Sequence, residues 1–188
     1  MNYLVVTQSG RTIVRPDITK VKEGENVYLP DFVDSVSIVP VLFGRVSKPG
    51  RSVGARFADR YYDSFGYGVL LYPENMIAWG EEGFACASCL DHTTVFPAAL
   101  LDKQKLDSGA PLFTLAKDGV TLFEHSAASR ALLEQTLCET SRFCFLRVGD
   151  FVAMELCPRI GIISRPEGSC KISGAMGGEA VFDFDLFL

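Results

Sequence analysis

The sequence predicts an α+β domain that is mainly β, on three observations. Short segments rich in β-branched and aromatic residues recur along the chain, separated by turns of Gly, Pro, Asn or charged residues. Phe is frequent, with 14 copies against one Trp, and such rings suit a β-rich core. Only two segments carry the spacing of an amphipathic helix. Because the 188 residues contain no repeat and no linker, we expect residues 1–188 to form a single domain.

The first half of the chain is predicted to contain five strands and one helix. The strands follow from apolar, β-branched runs bounded by turns, at residues 3–7, 12–14, 27–29, 36–43 and 67–72. In the fourth of these, Val39, Val41 and Phe43 share one face, because strand side chains repeat at every second position. The helix is expected over 52–64, where Ser52 can cap the first amides and apolar residues recur every four positions.

The second half is predicted to hold one more helix and the remaining strands. A helix over 127–141 is indicated by a cap at Ser126 and by Leu133 and Leu137 on one face. Strands are expected at residues 145–146, 151–156 and 180–186, the last alternating apolar and acidic residues. Gly66 and Gly68 are interpreted as the stop of the first helix. They do not indicate a nucleotide-binding loop, because a third glycine and the strand–turn–helix order are missing.

The composition argues against several classes of partner. The formal charge is −5, the pI is near 5.1 and no basic stripe is present, so we expect no binding to nucleic acid. No run approaches the roughly 18 apolar residues of a membrane helix, and the N-terminus lacks a signal-peptide pattern. We therefore expect no membrane association and a cytoplasmic location. The six cysteines are scattered through apolar contexts and are expected to be reduced thiols.

The segment 30–76 carries a distinctive set of features: Pro30-Asp31-Phe32, a turn with Lys48 and Gly50, the run Arg60-Tyr61-Tyr62-Asp63, and Gly66 with Gly68. Through these features the segment resembles the fumarylacetoacetate hydrolase family without a gap. Weaker similarity extends over residues 15–186, including the steps at 146–150 and 177–184. The resemblance implies a mixed β-sandwich roll with about two helices, and it implies a homodimer.

In that family three carboxylates of this segment hold a divalent cation, which polarises a keto or carboxylate substrate. The matching former metal-ligand positions here are Val39, Val41 and Leu70, which are all apolar. A hard cation needs oxygen ligands. One unit-charge pair at about 4 Å contributes about 4 kcal/mol at an effective dielectric of about 20, which is as much as the whole binding energy of a millimolar site. The sequence therefore predicts no metal, no catalytic residue and no cofactor.

Other pocket positions of the family also differ. Ser88 stands where members carry a lysine, three residues before the matching Asp91. The family's Thr-Gly-Thr-Pro loop, which approaches the substrate carboxylate, begins here at Met154, and the next residue, Glu155, would repel an anion. Arg15 matches a lysine-proline step, and the motif G-x-N-Y-x-x-H, which supplies a histidine base in many members, has no counterpart. These five residues are the candidates for a residual pocket.

The cysteines and histidines give weaker signals. The spacing Cys86-x-x-Cys89 is that of half a zinc site or of a redox pair. No second cysteine pair follows, and no helix N-terminus is expected there to activate a thiol. Asp91 and His92 form the one acid–histidine neighbour pair, which we interpret as a solvated loop. His125, just before the second helix, is expected to be a surface or cap-adjacent residue.

Three hypotheses about function follow. The first is a degenerate fumarylacetoacetate hydrolase-like protein without its divalent-metal site, which binds or has a structural role as a homodimer or as the partner of an active family member. The alternative is a Mg²⁺- or Mn²⁺-dependent hydrolase, decarboxylase or isomerase of diketo or 2-keto acids. It would need substitute ligands such as Glu74, Asp91 or Glu155. The third is a small-molecule binder that uses the old cleft, with Arg15 and Asp91 as polar anchors.

Overall fold

Strands dominate the structure, as predicted. The computed structural model describes residues 1–188. Its strands are β1 (Asn2–Val6), β2 (Thr12–Pro16), β3 (Val27–Tyr28), β4 (Ser35–Val46), β5 (Tyr62–Pro73), β6 (Thr94–Val95), β7 (Leu101–Asp102), β8 (Phe113–Lys117), β9 (Val120–His125), β10 (Phe151–Glu155), β11 (Ile160–Ser164), β12 (Ser169–Met176) and β13 (Glu179–Phe187). The α-helices are α1 (Glu74–Ile77), α2 (Glu81–Ser88) and α3 (Arg130–Phe143). Short 3₁₀ helices cover Asp17–Thr19, Ala55–Arg60, Lys103–Leu106 and Arg165–Glu167. None of the helices has the length and apolar character needed to cross a membrane.

The strands form two sheets. In the first sheet the order is β2-β1-β10-β4-β5-β6, with β11 also paired to β4 and β7 to β5. In the second sheet the order is β3-β13-β12-β8-β9. The main hydrophobic core contains side chains of both sheets and of α3, among them Leu42, Phe113, Ile172 and Leu133. This architecture agrees with the mixed β-sandwich roll that the resemblance implies.

β4 is a central strand that is buried on both faces. Val39 and Val41 face a second, smaller cluster, whereas Ile38 and Leu42 belong to the main core. β4 pairs with β11 up to Ile38 and with β10 from Val41 onwards. Pro40, which has no amide hydrogen to donate, lies where one neighbour replaces the other. The strand that carries two of the former metal-ligand positions is therefore paired on both sides inside the sheet.

The helix predicted over 52–64 is wrong in type and extent. Residues Ala55–Arg60 form only a short 3₁₀ helix, and β5 already begins at Tyr62. Ser52 is no helix cap, because its φ is 49° and its amide donates to a carbonyl oxygen of α3 at 2.8 Å. The expected apolar stripe is not buried as one face, since Phe57 is 44% exposed. Tertiary contacts with α3 and the sheet override the four-residue spacing.

Gly66 and Gly68 lie inside β5, so their interpretation as a helix stop is also wrong. A Cβ at residue 66 would lie 2.8 Å from a ring carbon of Phe43. A Cβ at residue 68 would lie 2.5 Å from the carbonyl oxygen of Val95. Real Cβ atoms do not approach other atoms so closely, so both glycines are required for the close packing of β5 against its neighbours.

The second predicted helix is confirmed, with its start moved by three residues. Ser129 caps α3, because its hydroxyl oxygen accepts a hydrogen bond from the amide of Leu132 at 3.3 Å, and Ser126 lies outside. The sequence pattern does not predict α1, α2, β6, β7, β8, β9, β11 or β12. In α2 a Cβ at Gly83 would lie 1.9 Å from the carbonyl oxygen of Met76, so this helix needs a glycine for close packing. Because glycine has a low helix propensity, the sequence pattern does not indicate a helix there.

Candidate functional site

The three former metal-ligand positions converge in the structure. Val39 of β4 lies directly opposite Leu70 of β5, and Val41 is two residues further on the same face. All three side chains are 0% exposed. They belong to the second cluster, which is composed of Tyr3, Val5, Val39, Val41, Phe43, Leu70, Tyr72, Phe96 and Ala153. The place that the resemblance assigns to a cation is therefore filled by hydrocarbon.

Phe96 completes this filling from the segment that follows β6. Its ring stacks on Phe43 with centroids 4.2 Å apart and meets the edge of Tyr3 at 4.9 Å. Phe151 of β10 stacks on the other ring, Tyr3, at 5.6 Å. Burial of one such ring contributes roughly 1.5–3 kcal/mol, and paired rings add about 0.5–1.5 kcal/mol more. The second cluster is therefore a stabilising part of the core.

The residues at these positions do not fit a divalent cation. Valine and leucine provide no oxygen or nitrogen donor. The structure also contains no group of three His, Cys, Asp or Glu side chains arranged to hold a metal ion. The suggested substitute ligands are each engaged separately. Glu74 accepts hydrogen bonds from Ser37 and Arg159, Asp91 lies on an exposed loop beside His92, and Glu155 accepts from Tyr72 and Gln8.

A polar chain borders the second cluster, and it begins with the fully buried Arg15. One terminal nitrogen of its guanidinium donates to the carbonyl oxygen of Thr93 at 2.8 Å, and to the hydroxyls of Thr93 and Thr94. The other donates to the carbonyl oxygen of Leu71 at 3.0 Å. The guanidinium carbon also lies 4.6 Å from the centre of the Tyr72 ring. Arg15 thus ties β2 to β5 and β6, and its burial lowers its pKa.

The chain continues through Tyr72 to Glu155. The Tyr72 hydroxyl donates to Glu155 Oε1 at 2.7 Å, a distance typical of a charge-assisted bond. Burial raises the pKa of Tyr72, so this hydroxyl keeps its proton. The other carboxylate oxygen of Glu155 accepts from the amide of Gln8 at 2.9 Å. Glu155 is 7% exposed and forms no ion pair within the protein, and Arg15 lies on the other side of the Tyr72 ring.

Glu155 also lines an open cavity of about 360 Å³, which we call the Glu155 cavity. Four parts of the fold form its walls: the β1–β2 turn, α2, the end of β10 and the loop before β11. The lining residues are Thr7, Gln8, Ser9, Phe84, Glu155, Pro158 and Arg159. Phe84 stacks on Tyr72 with centroids 5.8 Å apart, so the cavity lies directly over the polar chain.

The structure brings only some of the predicted pocket residues together. Arg15 and Glu155 are joined through Tyr72, but Arg15 is wholly buried and does not line the cavity. Ser88 donates its hydroxyl to the carbonyl oxygen of Phe84 within α2. Asp91 is exposed, and Met154 neighbours Glu155 in β10, where adjacent side chains point to opposite faces.

The candidate site contains residues that the sequence does not predict, among them Gln8, Tyr72 and Arg159. Tyr72 follows Leu70 by two positions, so the alternation of β5 indicates its face. The other two lie on a turn and on a loop. No local pattern marks these two residues, because their place in the cavity depends on how the two ends of the chain meet.

The cysteine and histidine motifs do not line the Glu155 cavity. Cys86 and Cys89 are free and exposed near the end of α2, and all six cysteines are free. His125 is half-buried at the end of β9, with its ring 5.9 Å from Tyr67 and 6.1 Å from Phe123. Its Nε2 is buried without a partner, and burial lowers its pKa. His125 is therefore half-buried at the end of a strand, instead of lying at the surface or beside the cap of α3.

A second cavity, of about 310 Å³, lies between residues 20–25, residues 95–98 and β13. Its floor is apolar and includes Phe96 and Phe184. Among the charged residues that line it, Lys22 pairs with Glu25, and Asp183 pairs with Lys171. Without a buried polar group to orient a ligand, this cavity is the weaker candidate.

Comparison with solved structures identifies the fold. A protein assigned to the fumarylacetoacetate hydrolase family from Yersinia pestis CO92 has a TM-score of 0.81 at 14% identity, over 99% of this chain and 92% of that one. Fumarylpyruvate hydrolase from Pseudomonas aeruginosa, solved with Mn²⁺ and pyruvate, gives 0.80 at 16% identity, over 100% and 90%. A 5-carboxymethyl-2-hydroxymuconate delta-isomerase from Mycobacterium smegmatis gives 0.79 at 12% identity, over 98% and 77%.

At the level of sequence, no protein-family model and no curated protein matches this chain. The identities to the solved structures are low, whereas the structural similarity extends over nearly the whole chain. The two sheets and the central β4–β5 pair are thus arranged as in proteins of one known architecture. The chain has the fold of the fumarylacetoacetate hydrolase family.

Proposed function

We propose that the protein is a degenerate, metal-free representative of this fold with a non-catalytic role in binding or structure. The observation that supports the proposal is the packing at Val39, Val41 and Leu70, each 0% exposed among aromatic rings. Chemistry of the kind that the neighbours' names describe would need a polar site, and here that volume is occupied. We further propose that the protein acts in the cytoplasm, where its six free cysteines would stay reduced.

The alternative, a metal-dependent enzyme with substitute ligands, has less support. Glu74 is bound by Arg159 and Ser37, and Glu155 by Tyr72 and Gln8. Recruiting both carboxylates to one cation would break these bonds, and each bond to a charged group contributes about 1.5–3 kcal/mol. Cation binding would have to offset the free energy of these broken bonds.

A titration separates the two functions. We expect the native chain to give no heat of binding with Mg²⁺ or Mn²⁺ at concentrations up to about 1 mM, the range of a very weak site. Isothermal titration calorimetry with the full chain at pH 7 measures this directly. Micromolar binding of either ion would overturn the degenerate function and favour the enzyme.

A restoration variant tests the placement of the three positions. We expect Val39→Glu, Val41→Glu and Leu70→Asp together to destabilise the fold by more than about 4 kcal/mol, because unpaired carboxylates would be buried. The matched control changes exposed residues in the same way, with Val120→Glu, Val148→Glu and Leu112→Asp. Urea unfolding, with and without Mn²⁺, is the measurement.

The control is expected to stay within about 0.5 kcal/mol per substitution of the native stability, as surface changes usually do. Rescue of the buried variant by Mn²⁺ would show that the backbone geometry still suits a cation. A buried variant as stable as the control that binds no metal would show that the three positions are wrongly placed.

A further inference from the structure

The Glu155 cavity carries a carboxylate whose binding capacity the protein only partly uses. A carboxylate has about four acceptor sites, and here Tyr72 and Gln8 occupy one on each oxygen. No Lys, Arg or His side chain pairs with Glu155, although this residue is only 7% exposed. A buried carboxylate is normally paired with a cation, or all of its acceptor sites are hydrogen-bonded. The open side of Glu155 therefore favours a cationic donor that enters from the cavity.

Arg159 contributes the opposite charge to the same cavity. Its Nε donates to Glu74 Oε1 at 2.8 Å, and Ser37 donates to the same oxygen. The two terminal nitrogens of Arg159 form no hydrogen bond within the protein, and its side chain is 41% exposed. Glu74 thus orients the guanidinium and leaves its two terminal nitrogens, which form a planar fork, free. Such a fork binds a carboxylate through two parallel hydrogen bonds.

The remaining walls add one apolar side and one hydroxyl side. Phe84 and Pro158 offer apolar surface, and Phe84 is fixed by its stacking on Tyr72. Thr7 and Ser9 offer hydroxyls, although these two already lie 3.0 Å from each other within the turn. A volume of about 360 Å³ is at the small end of ordinary ligand pockets.

We propose that the Glu155 cavity binds a small zwitterion of the α-amino acid class. The ammonium group donates to Glu155, the carboxylate accepts from Arg159, and the side chain contacts Phe84 and Pro158. This rests on the proposed function, because it gives a ligand class to the non-catalytic binding role. A 2-keto acid or a dicarboxylate lacks the ammonium group and would meet the carboxylate of Glu155, so the site discriminates against such anions.

The test uses the full native chain in buffer with EDTA and a panel of the twenty protein amino acids, each at about 10 mM. Thermal unfolding identifies amino acids that raise the midpoint, because a ligand that binds only the folded state stabilises it. Calorimetry then compares the best amino acid with its decarboxylated amine, with its deaminated acid and with pyruvate. We expect each of these three to bind at least tenfold more weakly than the zwitterion.

Three variants assign the binding to the cavity. Arg159→Gln and Glu155→Gln are each expected to weaken binding at least tenfold, whereas Arg51→Gln removes an exposed arginine elsewhere and is expected to leave binding unchanged. Arg159 is exposed, so its variant tests the site even if Glu155→Gln lowers stability.

The proposal is overturned if no amino acid raises the midpoint, if pyruvate or the deaminated acid binds as tightly as the zwitterion, or if Arg159→Gln binds as the native chain does. Because EDTA is present throughout, these outcomes are independent of the Mg²⁺ and Mn²⁺ titration. A failure of the zwitterion site and a failure of the metal-free function are therefore distinguished.

Discussion

Arg15 is a buried cation whose hydrogen bonds go to backbone carbonyls and hydroxyls instead of to a carboxylate. Its terminal nitrogens reach Thr93, Thr94 and Leu71, and only its Nε lacks a partner. Such an arrangement is tolerated because each bond is charge-assisted and because the Tyr72 ring contributes a cation–π contact. The residue links β2 to β5 and β6 and contacts the ring of Tyr72, whose hydroxyl donates to Glu155.

The hydroxyl of Tyr72 gives a prediction about the stability of the protein. We expect Tyr72→Phe to lower the free energy of unfolding by about 1.5–3 kcal/mol, because Glu155 Oε1 loses its charge-assisted donor in a buried place. Tyr28→Phe is the matched control, since Tyr28 is 65% exposed. Urea denaturation measures both variants. Equal stability of the two variants would mean that the bond to Glu155 contributes nothing.

His125 gives a pH dependence whose sign follows from burial. Its folded pKa lies below the ordinary value near 6.5, so the unfolded chain binds the proton more readily. The stability that the neutral imidazole contributes is present above that ordinary value. It is lost as the pH falls from about 6.5 through the folded pKa.

We therefore expect the native chain to lose stability between about pH 7 and pH 5. We expect His125→Gln to reduce that loss. His92→Gln is the control, because His92 lies beside Asp91 on an accessible loop. Urea unfolding midpoints over this pH range are the measurement. An unchanged slope in His125→Gln would show that another group dominates the titration.

At the scale of elements, β5 combines close packing with the positions that shape the site. We expect Gly68→Ala to destabilise the protein by about 1–3 kcal/mol, because its Cβ would lie 2.5 Å from the carbonyl oxygen of Val95. Gly54→Ala is the control, since a Cβ there would contact nothing within 4 Å and its φ is −77°. Thermal unfolding of the two variants provides the comparison, and similar midpoints would contradict the packing argument.

The helices show where local patterns are sufficient and where they are not. α3 has an amphipathic stripe with Leu133 and Leu137 buried, and its existence is predicted from spacing alone. The segment after Ser52 has the same four-residue spacing, yet it forms a 3₁₀ turn. There the backbone is bound to α3 through Ser52, and the following residues pair with β4 instead of continuing a helix.

At the scale of the whole molecule, we propose that the protein forms a homodimer, as the resemblance implies. Symmetric dimers are the commonest assemblies of soluble proteins. We expect sedimentation at chain concentrations from about 1 to 100 µM to give twice the 20.6 kDa mass of the chain. A mass of one chain at the highest concentration would contradict the dimer and would leave association with an active family member as the structural role to test.

The sequence by itself determines the fold class and the apolar character of the positions that the resemblance assigns to metal ligands. Both depend on residue types at fixed spacing: the alternation of β4 places Val39 and Val41 on one face, and an apolar side chain has no donor wherever it lies. Only the tertiary structure decides what surrounds these positions. Phe96, Arg15 and Arg159 reach their neighbours through contacts between distant segments, and the energies of such contacts depend on burial and on partners that no local pattern records.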